Sequence, residues 1–367
     1  MKFYRTVLPL LSVLFLSNFA SAQDNSGIDY SKQFSHARAL TDSQYLPEER
    51  HLKNIRQLTF DGENAEAYLS FDNKRLSLQA RGTSGTSCDQ IYTMNLNGTE
   101  LQKISNGRGR TTCSYYLPSG DKVLYASTFE SNEGMCPPEP DHSKGYVWAL
   151  YPTFDIYVAD TSGKVLANLT KGSDGYDAEA TISPVGDKIV FTSTRTGDIE
   201  LFTMNLDGSE VKQLTFEEGY DGGAFFSQDG KQIVYRASRP KDKELEEYRS
   251  LLKEHLIRPH SLELYVMNAD GTNKRQVTNN GKANFAPFFF PDGKRIIFSS
   301  NMDDPKGRNF DIYKINTDGS GLERITYSGS FDGFPFFTSD GKQLIFCSNR
   351  YGSNPRNTNI FIADWVE

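Results

Sequence analysis

The 367-residue sequence lacks an apolar run long enough to span a bilayer; the one at residues 7–16 is too short, and no other segment qualifies, so the chain is read as not membrane-spanning. Positive charge is in deficit. A formal net charge of -7, from 40 Lys and Arg against 47 Asp and Glu, argues against nucleic acid or an anionic membrane surface as a partner. No Gly-x-Ser-x-Gly elbow, His-Glu-x-x-His helix or phosphate-binding Gly-Lys-Thr loop occurs, so none of these catalytic or nucleotide-binding motifs is written in the chain. His142, His255 and His260 show no His-x-x-x-His spacing, and neither a metal nor a cofactor is expected.

Cysteine is scarce as well, at four residues. The N-terminus explains how they are read. Lys2 and Arg5 precede the apolar stretch, and Ala20, Ser21 and Ala22 supply a small-residue cleavage site, so residues 1–22 read as a secretory signal. No cysteine follows that site to take a lipid anchor. The expected mature chain begins at Gln23, periplasmic or secreted, where disulfides are permitted. Cys136 is expected to pair with Cys88 or Cys113, and Cys347, within a strand, to remain a buried thiol.

What the chain has in abundance is repetition. The stretch DGFPFFTSDG-KQLIFCSNR-NIFIA between Asp332 and Ala363 has a counterpart in GGAFFSQDG-KQIVYRASR-LELYVMNADG between Gly222 and Gly271. It recurs in NFAPFFFPDG-KRIIFSSN-FDIYKINTDG from Asn284 to Gly319. Each copy holds three short runs of alternating apolar and polar residues broken by Asp-Gly turns, then a fourth run ending in Leu-Thr or a relative. Alternation at period two marks half-buried strands, and Asp-Gly between them marks hairpins. Four antiparallel strands recurring six times at about 45 residues describe an all-β, six-bladed propeller of four-stranded blades. Residues 55–59 (Ile-Arg-Gln-Leu-Thr) match the fourth runs but precede the first blade, and the last copy stops after its third strand. The N-terminal run is therefore expected to complete the sixth blade and close the ring. The division is a lead-in at 23–53, with a short helix near Ser35 to Leu40, and a propeller at 54–367. Insertions at 129–153 and 240–260 share one face, and Leu245, Tyr248, Leu252 and Leu256 in the second recur at helical spacing.

That face, which also carries the blade-to-blade loops, is where binding is expected. Asp177, Asp221 and Asp332 stand at the start of three inner strands, where ring symmetry points them toward the axis; Asn64 holds the same place in the first blade. Tyr176 and Tyr220 precede two of the aspartates. Arg81 and Arg239 lie at second-strand ends, Arg110 enters the second blade, and Arg236 replaces the small residues of sister strands. Trp148 stands out in the first insertion. Converging carboxylates with aromatic neighbours suit a polar ligand or a peptide with a basic or amino terminus. The structural alternative is that the Asp and Asn side chains cap turns and the arginines pair with neighbouring aspartates.

The repeat resembles that of the TolB-type propellers over about residues 54–365. The matching turns are Ser70-Phe-Asp-Asn, Leu117-Pro-Ser-Gly-Asp, Ser183-Pro-Val-Gly-Asp, Ser227-Gln-Asp-Gly, Phe290-Pro-Asp-Gly and Thr338-Ser-Asp-Gly. The resemblance implies a periplasmic, non-catalytic propeller that binds envelope proteins such as the peptidoglycan-associated lipoprotein. TolB itself carries an α/β domain ahead of its propeller, which residues 23–53 do not match. The expectation is an exported binding or scaffold propeller that captures a protein segment, peptide or oligosaccharide. Since peptidase and oligosaccharide-lyase propellers share the repeat, the alternative is a lyase or hydrolase of a sugar or peptide polymer acting at the same channel mouth.

Overall fold

A computed structural model describes residues 37–60, 62–81, 88–352, 354 and 357–367. The expected signal segment and its cleavage site lie outside them. Six antiparallel sheets surround an axis. Their inner strands are Glu63–Leu69, Thr111–Tyr116, Asp177–Ile182, Asp221–Phe226, Asn284–Phe289 and Asp332–Phe337. The second strands are Arg75–Arg81, Lys122–Ser127, Lys188–Ser193, Gln232–Ala237, Arg295–Ser300 and Gln343–Ser348. The third are Gln90–Asn95, Asp155–Asp160, Glu200–Asn205, Glu263–Asn268, Asp311–Asn316 and Asn359–Trp365. Second strands such as Lys-Ile-Val-Phe-Thr-Ser are rich in β-branched and aromatic residues because they are covered on both faces by neighbouring blades. Their central side chains, Leu78, Tyr125, Phe191, Tyr235, Phe298 and Phe346, are all fully buried.

The turns follow one chemistry. In Ser227-Gln-Asp-Gly, the Ser227 hydroxyl donates to Asp229 Oδ1 at 2.7 Å and the Lys231 N–H to the same oxygen at 3.1 Å. Gly230 then sits at φ +70°, a conformation glycine adopts without steric cost.

Outer strands are short, only Lys212–Gln213 in the third blade, so ladder bonds alone hold them weakly. A hydroxyl just after each one adds a staple. Thr170 Oγ1 accepts the Ile156 N–H at 3.0 Å and donates to Asp155. Thr278 does the same with Leu264 and Glu263, and Ser105 with Ile91 and Gln90. Thr215 and Thr326 accept the Leu201 and Ile312 N–H groups. The Leu-Thr ending of the repeat exists for this contact.

In the sixth blade the outer strand is N-terminal. Leu52–Gln57 pairs antiparallel with Asn359–Trp365, Leu52 opposite Trp365 and Gln57 opposite Phe361. Thr59 accepts the Ile360 N–H at 2.9 Å and donates to Asn359 at 3.0 Å, so the same staple joins the two ends of the chain. The lead-in corrects one expectation. Arg38–Ala39 forms a fifth strand on this sheet rather than part of a helix, and the only helical turn nearby among the described residues is Asp42–Gln44. The cause is an open edge: Leu52–Gln57 offers unpaired backbone groups, and the Leu40 N–H takes the Ile55 carbonyl at 3.0 Å.

The two insertions meet over the third blade. Trp148–Ala149 pairs with Leu256–Ile257, and Lys144 pairs with Glu254. Helix α1, Asp242–Lys253, buries Tyr248 and Leu251, with Leu245 and Leu252 partly covered, whereas Leu256 has passed into the pairing strand. Leu150, Phe154, Tyr176, Ile199, Tyr220 and Ile257 form the apolar cluster beneath. A Cys88–Cys136 disulfide, Cα to Cα 5.7 Å, fastens the first insertion to blade 1, while Cys113 and Cys347 are free.

Closure and the disulfide each have measurable consequences. Thr59→Val leaves the buried Asn359 oxygen and Ile360 amide without their partner and lowers unfolding free energy by about 1–3 kcal/mol in denaturant titration. Deleting residues 52–60 exposes strand edges and causes aggregation or a large fall in Tm; a deletion melting like the parent contradicts this closure. Alkylation of denatured, unreduced mature protein labels the two cysteines Cys113 and Cys347, and reduction raises the count to four. Four labels without reductant would remove the disulfide.

Candidate functional site

In every blade the register of inner against second strand shifts near the middle, as between Ala178 and Thr181 or between Gly222 and Phe225. The residue just past the shift takes positive φ: Glu66 at 52°, Cys113 at 51°, Glu179 at 54°, Gly223 at 59°, Ala286 at 46° and Phe334 at 53°. Bulges of this kind re-aim side chains, and all six residues line one cavity on the insertion face. Two positions on, the axis is filled. Tyr68 contacts Tyr115, Phe225 and Phe336 at ring-centroid distances of 5.7, 5.5 and 5.3 Å, and Phe288 lies 4.1 Å from Phe336. This aromatic plug makes the channel a blind pocket of about 960 Å³.

The pocket is two-sided. Blades 1 to 4 give its floor Glu66, Cys113, Glu179 and Gly223; blades 5 and 6 give Ala286 and Phe334. Phe285, Phe310 and Phe331 continue the apolar wall, and Trp148 and Tyr151 come from the first insertion.

Arg236 occupies the space over Gly223. A Cβ on Gly223 would lie 2.6 Å from its Nη1, which is why the sequence has glycine there. The guanidinium is buried. It donates from Nε and Nη2 to the Tyr220 hydroxyl at 3.1 and 2.8 Å and from Nη2 to Glu179 Oε1. Trp148, Tyr220 and Phe285 surround it at 5.4, 5.5 and 5.4 Å from their ring centroids, within cation–π range. Glu179 Oε2 in turn accepts from the Tyr220 hydroxyl at 3.1 Å, Thr192 at 2.8 Å and the Gly223 N–H at 3.0 Å. Nε and Nη2 of Arg236 and both oxygens of Glu179 are thus engaged.

At the rim, Arg81 pairs with Glu63 and Glu139, and Arg110 with Asp89 and Glu139. Glu66 differs. Among the described residues no Lys, Arg or His lies within ion-pair distance of its carboxylate. Burial pushes its pKa up to about 7; a hydrogen bond from the Cys113 thiol opposes the shift, and the charge of Glu179 adds to it. Burial also holds the Cys113 thiol well above its ordinary value, with Glu66 and Glu179 reinforcing the effect.

Of the residues singled out from sequence, Arg81, Arg110, Trp148, Tyr176, Tyr220 and Arg236 line this pocket. Asn64, Asp177, Asp221, Arg239 and Asp332 do not. The three aspartates are wholly buried beside the axis strands rather than pointing along it. Each accepts from an arginine just past the paired strand: Arg195 on Asp177 at 2.9 Å, Arg239 on Asp221 at 2.8 Å, Arg350 on Asp332 at 3.0 Å. Asn64 donates to the Thr358 carbonyl at 2.9 Å, a blade-to-blade tie. The bulge turns the third residue of these inner strands, not the first, toward the pocket, so the residues that ring symmetry singled out stand outside it. Glu66, Glu179, Cys113 and Phe334 were missed for that reason. The signal for Arg236 was legible in its own strand position, where sister blades carry Ala126, Thr192, Ser299 and Cys347, and in Gly223, which lies beneath it. Among the described residues no group of three or more His, Cys, Asp or Glu side chains is placed to hold a metal ion.

Residues 151–257 and 250–364 match the TolB beta propeller domain, together more than half of the chain. Among solved structures, TolB of Agrobacterium tumefaciens aligns with a TM-score of 0.54 at 15% identity, over 83% of this chain and 91% of that one. TolB of Acinetobacter baumannii gives 0.54 at 18%, over 80% of this chain but 64% of its own length. Oligogalacturonate lyase of Vibrio parahaemolyticus gives 0.50 at 12%, over 89% and 96%. At these identities the likeness is one of fold, shared by TolB proteins and a lyase alike. The six-bladed ring, its repeat and the domain match place this chain in the TolB β-propeller family.

Proposed function

We propose that this protein is an exported, non-catalytic binding propeller that captures a peptide, protein segment or oligosaccharide in the blind pocket of its insertion face. The observation that carries the reading is the pocket itself. It combines an aromatic wall with a small number of fixed charges on a rigid frame, the composition of a site that orients a ligand. Its chemistry favours holding over turnover. Glu179, Arg236 and Tyr220 are bonded to one another, and a thiol held protonated, as in Cys113, is a poor nucleophile. Envelope proteins of the periplasm are the natural partners for an exported member of this family. No helix among the described residues is long and apolar enough to cross a membrane.

One observation favours the alternative, a lyase or hydrolase at the same place: a carboxyl titrating near neutrality, as Glu66 does, suits proton transfer. Displayed-peptide and glycan arrays probed with wild type and Trp148→Ala separate the readings. Binding retained by wild type and weakened about tenfold by Trp148→Ala at unchanged Tm supports capture in the pocket. Binding indifferent to both Trp148→Ala and Tyr151→Ala contradicts it. Conversion of an arrayed glycan or peptide, abolished by Glu66→Gln, would replace capture with catalysis.

A further inference from the structure

We propose that the pocket floor is a cation site, in which Glu66 receives the ammonium group of a ligand whose apolar part lies against Phe334, Phe331, Phe310 and Phe285. The inference rests on the pocket being a ligand site and adds the chemical class of its occupant. Among the described residues five carboxylates line the pocket (Glu63, Glu66, Asp89, Glu139 and Glu179) against three guanidiniums, Arg81, Arg110 and Arg236. Every guanidinium is engaged: Arg81 with Glu63, Arg110 with Glu139 and Arg236 with Glu179. These cations are thus already neutralised with two carboxylates over: Asp89, 3.8 Å from the Arg110 guanidinium that it shares with Glu139, and Glu66, which has no ion-pair partner among the described residues. An anionic ligand would face this surplus with every lining guanidinium among the described residues already ion-paired, whereas an ammonium group would offset it.

Position strengthens the charge argument. Glu66 stands in blade 1, between Cys113 of blade 2 and Phe334 of blade 6, at the seam where the polar floor meets the apolar wall. A ligand bearing a primary amine a few bonds from an aromatic or branched apolar group can reach both sides at once. Arg236 is not a competing anchor, since three aromatic rings surround it and Nε and Nη2 are committed to Tyr220 and Glu179.

Protonation should tune the site. Cys113, Glu179, Arg236, Asp89, Tyr68 and Cys347 are the charged and titratable groups that interact with Glu66, and with burial dominant its carboxyl ionises at about pH 7. Below that value the acceptor is neutral and ammonium binding weakens; above it the carboxylate is charged and binding strengthens, while an alkylamine stays protonated.

Titration calorimetry of the mature protein with phenethylamine, N-acetylphenethylamine and hydrocinnamate tests this. The expected result is saturable binding of phenethylamine that tightens between about pH 6 and 8, with both uncharged and anionic analogues weaker by roughly ten- to hundredfold. Glu66→Gln should remove that preference and its pH dependence. Equal binding of the N-acetyl analogue overturns the cation site while leaving the pocket as a ligand site. Preference for hydrocinnamate also overturns it, and no saturable binding of any of the three overturns both this inference and the pocket reading for aromatic ligands. The wild-type comparison stands even if the Glu66 variant does not fold.

Discussion

The hydroxyl of Thr59 accepts the Ile360 N–H and donates to Asn359, and with the strand pairing beside it this joins the folded chain's two ends. Five other blades carry the same contact within one stretch of sequence, where it fastens a short outer strand. In the sixth it closes the ring. A second lock lies nearby. Arg350, almost wholly buried, donates to both oxygens of Glu49 at 2.9 and 3.0 Å and to Asp332 at 3.0 Å, binding the lead-in to an inner strand. A buried arginine shared by two carboxylates is strongly coupled to both, because removing any member leaves an uncompensated charge.

Closure fixes how near the six inner strands approach one another, and that distance decides what the axis can hold. Tyr68, Tyr115, Phe225, Phe288 and Phe336 fill it at one level, with Thr181 in the third blade donating to the Ala224 carbonyl at 2.7 Å. One bulge above, smaller and charged residues leave the pocket open. The paired insertions then cover blade 3, placing Trp148 against Arg236 and Phe285. Plug and floor are consequences of one repeated strand with different residues at two positions, and the loops and first insertion add the wall.

The architecture was legible because each repeat carries its own punctuation. Asp-Gly marks hairpins, alternation marks strands, and Leu-Thr marks the outer strand, so the displaced copy at Leu58-Thr59 revealed closure. The insertion helix was legible from the spacing of Leu245, Tyr248 and Leu252. The site was legible only in part. Arg236, Tyr220, Tyr176 and Trp148 stood out as unusual residues, and they do meet. Asp177, Asp221 and Asp332 stood out equally, yet they serve Arg195, Arg239 and Arg350 as buried partners. Telling these cases apart requires the bulge, which has no residue signature: Glu, Cys, Gly, Ala and Phe all occupy its left-handed position. The contact between the insertions likewise joins segments about a hundred residues apart, and local pattern says nothing of it.

The central claim is that ring closure leaves one blind, two-sided pocket and that ligands enter it. Diffraction from crystals soaked in a bromine-substituted phenethylamine tests this directly. The account predicts an anomalous bromine peak among Phe285, Phe310, Phe331 and Phe334, with the amine toward Glu66. A peak on the opposite, Asp-Gly turn face, or none in the pocket, would contradict it.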